Sequence, residues 1–462
     1  MYKEQGEIKR QTGSRCKICT GCGLCPGVSP SQAGMHVVTE NLLNIQKTCL
    51  QGLEGCALII ADIGTTTIAM ELYGADGKIR DRYMTVNPQT KYGADVLSRI
   101  TAAEDPGKAK ELMECVRNAL IRGIRRFFRG MKEKEIPVML IAANTVMTYL
   151  LMGWDPKELG HAPFTASHLG GAQGELLVTG FDRTGAVITK EEAVDPSCSF
   201  SVPFIVLPGI SAFVGGDILA GIDACEMLQH KEMTLFIDLG TNGEIVLGNR
   251  DGLIACSTAA GPAFEGGANK GIWGADMIRL TAELLKEGLL DETGLLSQPY
   301  DQTGIMVGGV LMTGRSIRQL QLAKAAIYTG ITQLTEKMGI NLQEIDRVVL
   351  GGGFGYFLNP ADAVRIGLLP AELEKKALAG GNTALAGSYS ILSKSIAARL
   401  TGDKNATSSN AMLSHDNTKA WNMELLREYT EEIKNRTMVL NLAMQETFGE
   451  EYIHAMNFEA LL

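Results

Sequence analysis

Two aspartates, Asp62 and Asp238, hold the same place in two similar stretches of a 462-residue chain, LIIADIGTTTIAMELYGADG (58–77) and TLFIDLGTNGEIVLG (234–248). In each, an apolar run ends on the carboxylate, a Gly-Thr turn follows, and a second run returns, which is the pattern of a β-hairpin. The turn residues Gly64, Thr65, Thr66 and Thr67, and Gly240, Thr241, Asn242, Gly243 and Glu244, place backbone N–H groups and hydroxyls beside the acid. Such N–H groups can surround phosphate oxygens. A carboxylate repels a polyphosphate unless a cation lies between them, so the arrangement predicts Mg2+, which takes oxygen ligands and keeps several waters. A single copy reads equally well as an ordinary hairpin. Two copies far apart in one chain point to a duplicated domain whose turns hold one nucleotide's phosphates.

A second chemistry sits near the start of the chain. Cys16, Cys19, Cys22 and Cys25 follow the spacing C-x2-C-x2-C-x2-C-P. That is one residue shorter than the bacterial ferredoxin run, whose last cysteine serves the other cluster in two-cluster proteins. The run predicts one 4Fe–4S cluster, with Cys25, Cys49 or Cys56 as the fourth ligand. Structural zinc is the rival, but it usually takes two C-x2-C pairs on a longer loop. Cys115, Cys198, Cys225 and Cys256 are scattered and read as small buried hydrophobes.

Composition narrows the rest. The net charge of −9 and the lack of a basic stripe argue against a nucleic-acid binder. No apolar run has membrane-spanning length, and MYKEQGEIKR lacks a signal-peptide core, so the expected location is the cytoplasm, with no membrane partner.

The positioning elements follow an α/β alternation from residue 57 onward. After the first hairpin, Asn87-Pro88-Gln89 is a turn, and Asp95 leads into a helix with Val96, Leu97 and Ile100 on one face. Residues 107–131 form a long amphipathic helix whose solvated side carries Arg122, Arg125, Arg126 and Arg129. Residues 136–153 are a strand and then a helix, with Asn144 and Thr145 at the junction, where open α/β sheets bind ligands and where helix caps also sit. His161 and His168 read as surface histidines, and 170–202 as irregular or edge-strand-like. Asp217 opens a Gly-rich helix, where it could face the nucleotide's Mg2+ or simply favour the helix dipole. Phe264 and Glu265 lie on a Gly-rich turn that could touch a base or ribose. A helix over 317–338 carries Leu320, Leu322, Ala325, Ile327 and Ile331 as core. The strand VVL then runs into Gly351-Gly352-Gly353-Phe354-Gly355, whose missing side chains let a flat base or ribose approach the backbone. It is neither a Rossmann fingerprint nor a P-loop.

Together the two hairpins and the glycine strand resemble the superfamily of acetate and sugar kinases, Hsp70 and actin. More closely, DIGTTT (62–67), NPQTKYGADVLSRI (87–100), AANTVM (142–147), LPGISAFVGGD (207–217), FIDLGTNGEI (236–245), AAGPAFEGG (259–267), IRQLQLAKAAI (317–327) and VLGGGFG (349–355) resemble the reductive activators of corrinoid proteins. The resemblance covers about 57–400. It implies two RNase H-like, actin/Hsp70-type ATPase halves (57–230 and 231–400) behind a cysteine-rich iron–sulfur module and connector (1–56). It makes residues 62–67 the first phosphate loop and 238–244 the second, with Gly351, Gly352 and Gly353 against the adenosine. Beyond its reach, the Ser/Asn-rich stretch 401–420 reads as a polar linker and 421–462 as a helical tail.

The resemblance further implies an ATPase coupled to electron transfer. A ferredoxin or flavodoxin-like donor would feed the cluster, and ATP would drive one electron onto Co(II) of a corrinoid protein or onto another metalloprotein. The short cysteine run differs from the family's plant-type 2Fe–2S domain or C-terminal two-cluster ferredoxin module and leaves the acceptor open. A homodimer is a possible assembly. The rival functions are a small-molecule kinase of the same fold, which leaves the cysteines without a task, and a nucleotide-dependent interaction protein with structural metal.

Overall fold

Apolar runs bounded by turns become strands here, and the most continuous of them are buried on both faces. The computed structural model describes residues 55–131, 135–179, 199–261, 274–352, 358–400 and 421–458, together with the backbone of His36–Val37. The cysteine run and the 401–420 linker lie outside the described residues.

In chain order the principal strands are β1 (His36–Val37), β2 (Cys56–Ile63), β3 (Thr67–Tyr73), β4 (Ile79–Val86), β5 (Ile136–Ala143), β6 (Ala172–Val178), β7 (Phe200–Val206), β8 (Thr234–Leu239), β9 (Gly243–Asn249), β10 (Gly252–Thr258), β11 (Ile305–Val307), β12 (Val310–Met312), β13 (Arg347–Gly351) and β14 (Ala377–Gly381). The principal helices are α1 (Val96–Ala103), α2 (Pro106–Phe127), α3 (Thr145–Met152), α4 (Gly216–Ala224), α5 (Gly274–Lys286), α6 (Gly314–Met338), α7 (Thr383–Leu400), α8 (Arg427–Asn435) and α9 (Phe448–His454). The chain divides into two compact units, Glu40–Gln229 with Thr383–Val439, and Met1–Thr39 with His230–Asn382 and Leu440–Leu462.

The Glu40–Gln229 unit carries a six-stranded sheet in the order β4-β3-β2-β5-β7-β6. β2 and β3 pair antiparallel, as do β3 and β4, while β2, β5 and β7 run parallel. β2 and β5 read as unbroken apolar runs because helices cover both faces of a parallel pair. β4 stays partly exposed along its whole length at the sheet edge. The stretch expected to be edge-like is β6, antiparallel to β7.

α2 begins at Pro106, with the Asp105 carboxylate accepting from Lys108 N at 2.9 Å, and buries Leu112, Val116, Ala119, Leu120, Ile124 and Phe127 at helical spacing. α1 is held by a capping box between Asp95 and Ser98. Its buried face differs from the expected one: Leu97 is exposed, and Arg99 joins Val96, Ile100 and Ala103 inside.

The His230–Asn382 unit repeats the design. Its sheet runs β1-β14-β13-β8-β9-β10, with β8-β9-β10 antiparallel and β8, β13 and β14 parallel. Three meandering strands followed by parallel ones is therefore the order in both units, although Thr383–Leu400, expected in the second half, belongs to the Glu40–Gln229 unit. Part of the expected 28–56 connector is strand, since His36–Val37 pairs in parallel with Leu378–Ala379. α6 starts on a Thr313/Ser316 capping box and ends at Gly339 in the left-handed region. It is core as expected, except that Leu322 is exposed.

Near the chain's end, α9 packs along α6. Gln333 Nε2 donates to Glu451 Oε1 at 2.9 Å, and Gln321 Nε2 donates to Met456 O at 3.0 Å. Buried Lys324 donates to Asn457 O at 2.6 Å and lies over the Phe458 ring. Burial pulls its ammonium down from 10.5 to about 7. The folded pKa lies below the unfolded one, so between them the unfolded chain binds more protons. Stability should rise from about pH 7 toward pH 10, by at most about 1.4 kcal/mol per unit, and Lys324→Met should flatten that slope in denaturant titrations at several pH values.

α7 crosses α4 through a glycine: a Cβ at Gly387 would stand 1.8 Å from Ala220 O. Gly387→Ala gains about 0.5–1 kcal/mol of helix propensity. A backbone oxygen cannot swing aside, so overpacking at about 1–3 kcal/mol wins. The variant should show a lower denaturant midpoint than the parent protein.

Candidate functional site

Both acidic turns sit where the sequence places them, at the C-terminal end of a buried strand. Asp62 lies opposite Ala69 of β3 and Ala142 of β5. Asp238 lies opposite Glu244 of β9 and Gly351 of β13. Each carboxylate is half-buried at the rim of its sheet. The turns differ in length. Ile63 pairs with Ile68 across four residues, and Leu239 with Gly243 across three. In both, the glycine N–H closes the loop: Gly64 donates to Thr67 O at 2.9 Å, and Gly240 donates to Asn242 O at 3.0 Å.

The first turn is gripped by side chains from later elements. Asn87 Nδ2 donates to Gly64 O at 2.8 Å, and Asn87 N donates to Thr66 O at 2.7 Å. The Arg99 guanidinium donates to Thr65 O at 2.5 Å and to Gly93 O at 3.0 Å. Asn87, Gln89 and Arg99 are fully buried. The junction residue Asn144 does two jobs. Its Oδ1 caps α3 by accepting from Met147 N at 2.9 Å, and its Nδ2 donates to Thr65 Oγ1 at 3.2 Å. Thr145 Oγ1 donates to Ser211 O at 2.6 Å, tying the segment before α4 to the same junction.

Asp217 lies in the first turn of α4 and accepts from its neighbour Ile218 N at 2.9 Å. Gly215 brings that helix start against the β5–α3 junction, since a Cβ there would meet Asn144 Cα at 2.4 Å and Ala143 O at 2.6 Å. The structure therefore gathers Asp62, Gly64–Thr67, Asn144 and Asp217 around one end of the Glu40–Gln229 sheet.

The second turn is walled by glycines. Gly352 has φ +83°, and a Cβ on it would stand 2.4 Å from Asp238 Oδ1 and 2.5 Å from Leu239 O. Gly351 pairs with Asp238 itself. Gly243 is a packing glycine, where a Cβ would stand 1.9 Å from Ile327 Cδ1 on α6, whereas a Cβ at Gly240 would make only an ordinary contact, 3.6 Å from Asn242 O. Thr241 is buried, and buried Glu244 accepts from Ser257 Oγ at 3.3 Å. Glu265, Gly353, Phe354 and the ligand candidates Cys16, Cys19, Cys22 and Cys25 lie outside the described residues.

Cys56 opens β2 and is buried, and burial beside Glu135 pushes its thiol up to about 11. Cys225 and Cys256 are buried hydrophobes as expected, and Cys115 is half-buried. His161 and His168 are exposed, and His168 stacks on Trp154 at 4.2 Å. Among the described residues no group of three or more His, Cys, Asp or Glu side chains is placed to hold a metal ion. No helix among them is long and apolar enough to cross a membrane.

Sequence reading took Asn87 as a turn residue and missed Arg99. The available signal was position: Val96, Arg99, Ile100 and Ala103 fall at i, i+3, i+4 and i+7, so a lone arginine sat on the apolar stripe of an amphipathic helix.

Comparison with known proteins covers both turn-bearing regions. Residues 57–230 match the RACo middle region, and residues 232–270 and 267–418 match the C-terminal domain of RACo, the ASKHA domain. The corrinoid activation enzyme RamQ of Eubacterium limosum is 30% identical over 372 residues, 68% of this chain and 60% of its own length. A Co(II) methylated amine-specific corrinoid protein reductase of Methanosarcina barkeri is 23% identical over 71% of this chain and 68% of its own. The solved structure of a reductive activator for a corrinoid, iron–sulfur protein superposes with TM-score 0.66 at 28% identity, over 87% of this chain and 66% of that one. The chain thus spans less than two thirds of the length of RamQ and of that activator.

The glycines of the second turn make a sharp stability contrast. Gly352→Ala combines a left-handed backbone with a backbone clash and should cost about 2–4 kcal/mol. Gly240→Ala has room and should stay within about 1 kcal/mol of the parent, on the favourable side. Denaturant midpoints of the two variants check this.

Proposed function

We propose, for a chain that belongs to the RACo family, the activity of a reductive activator that returns the cobalt of a corrinoid protein from Co(II) to Co(I) at the expense of ATP. The observation that carries the reading is the family match over both regions that bear the acid-and-glycine turns. The names of the similar proteins, all acting on corrinoid proteins, agree with it.

In this reading the nucleotide's phosphates meet the turn residues Gly64, Thr65, Thr66 and Thr67 and Gly240, Thr241, Asn242, Gly243 and Glu244. Asp62, Asp238 and Asp217 face Mg2+ through its waters, because carboxylates tolerate a triphosphate only with a cation between them. Gly351 and Gly352 keep side chains away from the adenosine, with Gly353, Phe354 and Glu265 completing that end. Cys16, Cys19, Cys22 and Cys25 hold the electron carrier in the 1–56 module. When bound, a 4Fe–4S cluster supplies one-electron chemistry at low potential.

The redox balance is simple. A reduced ferredoxin- or flavodoxin-type donor gives up one electron, Co(II) becomes Co(I), and no bond to this chain is made. Each tenfold of uphill transfer needs about 59 mV, which hydrolysis of ATP to ADP and phosphate can supply.

The test is anaerobic. Purified protein should carry iron and sulfide in equal amounts, show an EPR signal after reduction, and generate the Co(I) absorption of a corrinoid protein only with Mg-ATP. Cys19→Ser should lose the signal and the reduction together. An iron-free, zinc-loaded protein would remove the redox half of the reading. Phosphate transfer to a sugar or acid would replace it with a kinase.

A further inference from the structure

We propose that Arg99 and Asn87 are positioning residues that set the anion-accepting form of the Gly64–Thr67 turn. The inference rests on reading that turn as phosphate-facing. In a trans peptide the C=O of one residue and the N–H of the next point in opposite directions, and the only cis bonds among the described residues precede Pro163 and Pro299. Gly64 O is taken by Asn87 Nδ2, Thr65 O by Arg99 Nη2, and Thr66 O by Asn87 N. The N–H groups of Thr65, Thr66 and Thr67 are therefore all turned away from the side that Asn87 and Arg99 occupy. Three successive N–H groups displayed together form a nest for an oxyanion.

The device also orients charge. Arg99 is fully buried and permanently protonated, so its positive charge stands on the carbonyl side of the turn, at the opposite end of each peptide dipole from the N–H groups. Its fork is fixed by two carbonyls, Thr65 O and Gly93 O, and its Nη1 lies 3.3 Å from Met147 Sδ. Asn87 is fixed in turn by Gln89 N, which donates to its Oδ1 at 3.0 Å, and Gln89 anchors to α2 through Leu112 O at 2.9 Å. A lysine at 99 keeps the charge but cannot span both carbonyls in one plane. Asn144 completes the arrangement from the other side: its amide donates to Thr65 Oγ1, which leaves the hydroxyl's hydrogen to point elsewhere.

The experiment is Mg-ATP binding by calorimetry on the anaerobically purified full chain, for the parent, Arg99→Lys and Arg99→Met, with Phe127→Leu, which opens a core cavity at the C-terminal end of α2, as a destabilised control. Losing one charge-assisted hydrogen bond behind the turn should weaken Mg-ATP binding roughly tenfold to a hundredfold in Arg99→Met. Arg99→Lys should lose less, and Phe127→Leu should bind like the parent. If Arg99→Met does not fold, amide exchange of the parent decides: Mg-ATP should slow exchange in the 64–67 peptide. Equal affinity in folded Arg99→Lys and Arg99→Met, or no protection of 64–67 in a parent that binds Mg-ATP, overturns the inference alone. A parent that binds no Mg-ATP sinks the functional reading with it.

Discussion

Parallel pairing at the centre of each sheet is the constraint from which the site follows. β2 against β5, and β8 against β13, bring the C-terminal ends of two strands side by side. An aspartate ending one strand then meets whatever the neighbour carries at the same height: Ala142 beside Asp62, and Gly351 beside Asp238. Side chains must be small at this height, and the next residue must be smaller still where the carboxylate leans over it, as at Gly352. Hydrophobic burial of the strands holds the register, and the register places the acids. A slip of one residue would turn Asp238 into the core and Leu239 to its outer position, so the apolar pattern protects the polar end.

The two turns solve the same problem by different means. The first is one residue longer and is held from behind by a buried arginine and asparagine. The second is shorter and relies on close glycine packing, with Gly352 against the acid and Gly243 under Ile327 of α6. The two units share the strand order and the acid, while the supporting side chains differ. One turn depends on hydrogen bonds to a fixed cation, and the other on the absence of Cβ atoms.

Much of this was legible in the sequence because it rests on local patterns. The apolar runs gave β2, β5 and β8, the Asp-Gly-Thr repeats gave the hairpins, and Asn144 at a strand–helix junction was singled out as either ligand-facing or a cap; it caps α3 and also reaches Thr65. What escaped was long-range. Leu97 and Leu322 look like core residues from their type, yet both are exposed among the described residues. Arg99 looks like a surface residue from its type, yet the carbonyls of a turn 34 residues earlier draw it inside. Gly387 reads as an unremarkable helix glycine until α4 lies across it. Periodicity names the face of an element but not what will come to cover it.

Each unit is a patchwork of distant chain segments, and this shapes how the protein is made. The helix that seals α4 begins only at Thr383, after strands β8, β9, β10, β13 and β14 of the other sheet have been written. On the ribosome, the segment up to Gln229 would emerge with the α4 flank bare and would wait for the chain to reach Leu400 before its covering is complete, a delay of about 9–34 s at usual elongation rates. The nascent chain thus carries an unfinished apolar seam for about a third of its synthesis. A gene fragment cut at the apparent midpoint would inherit that seam permanently.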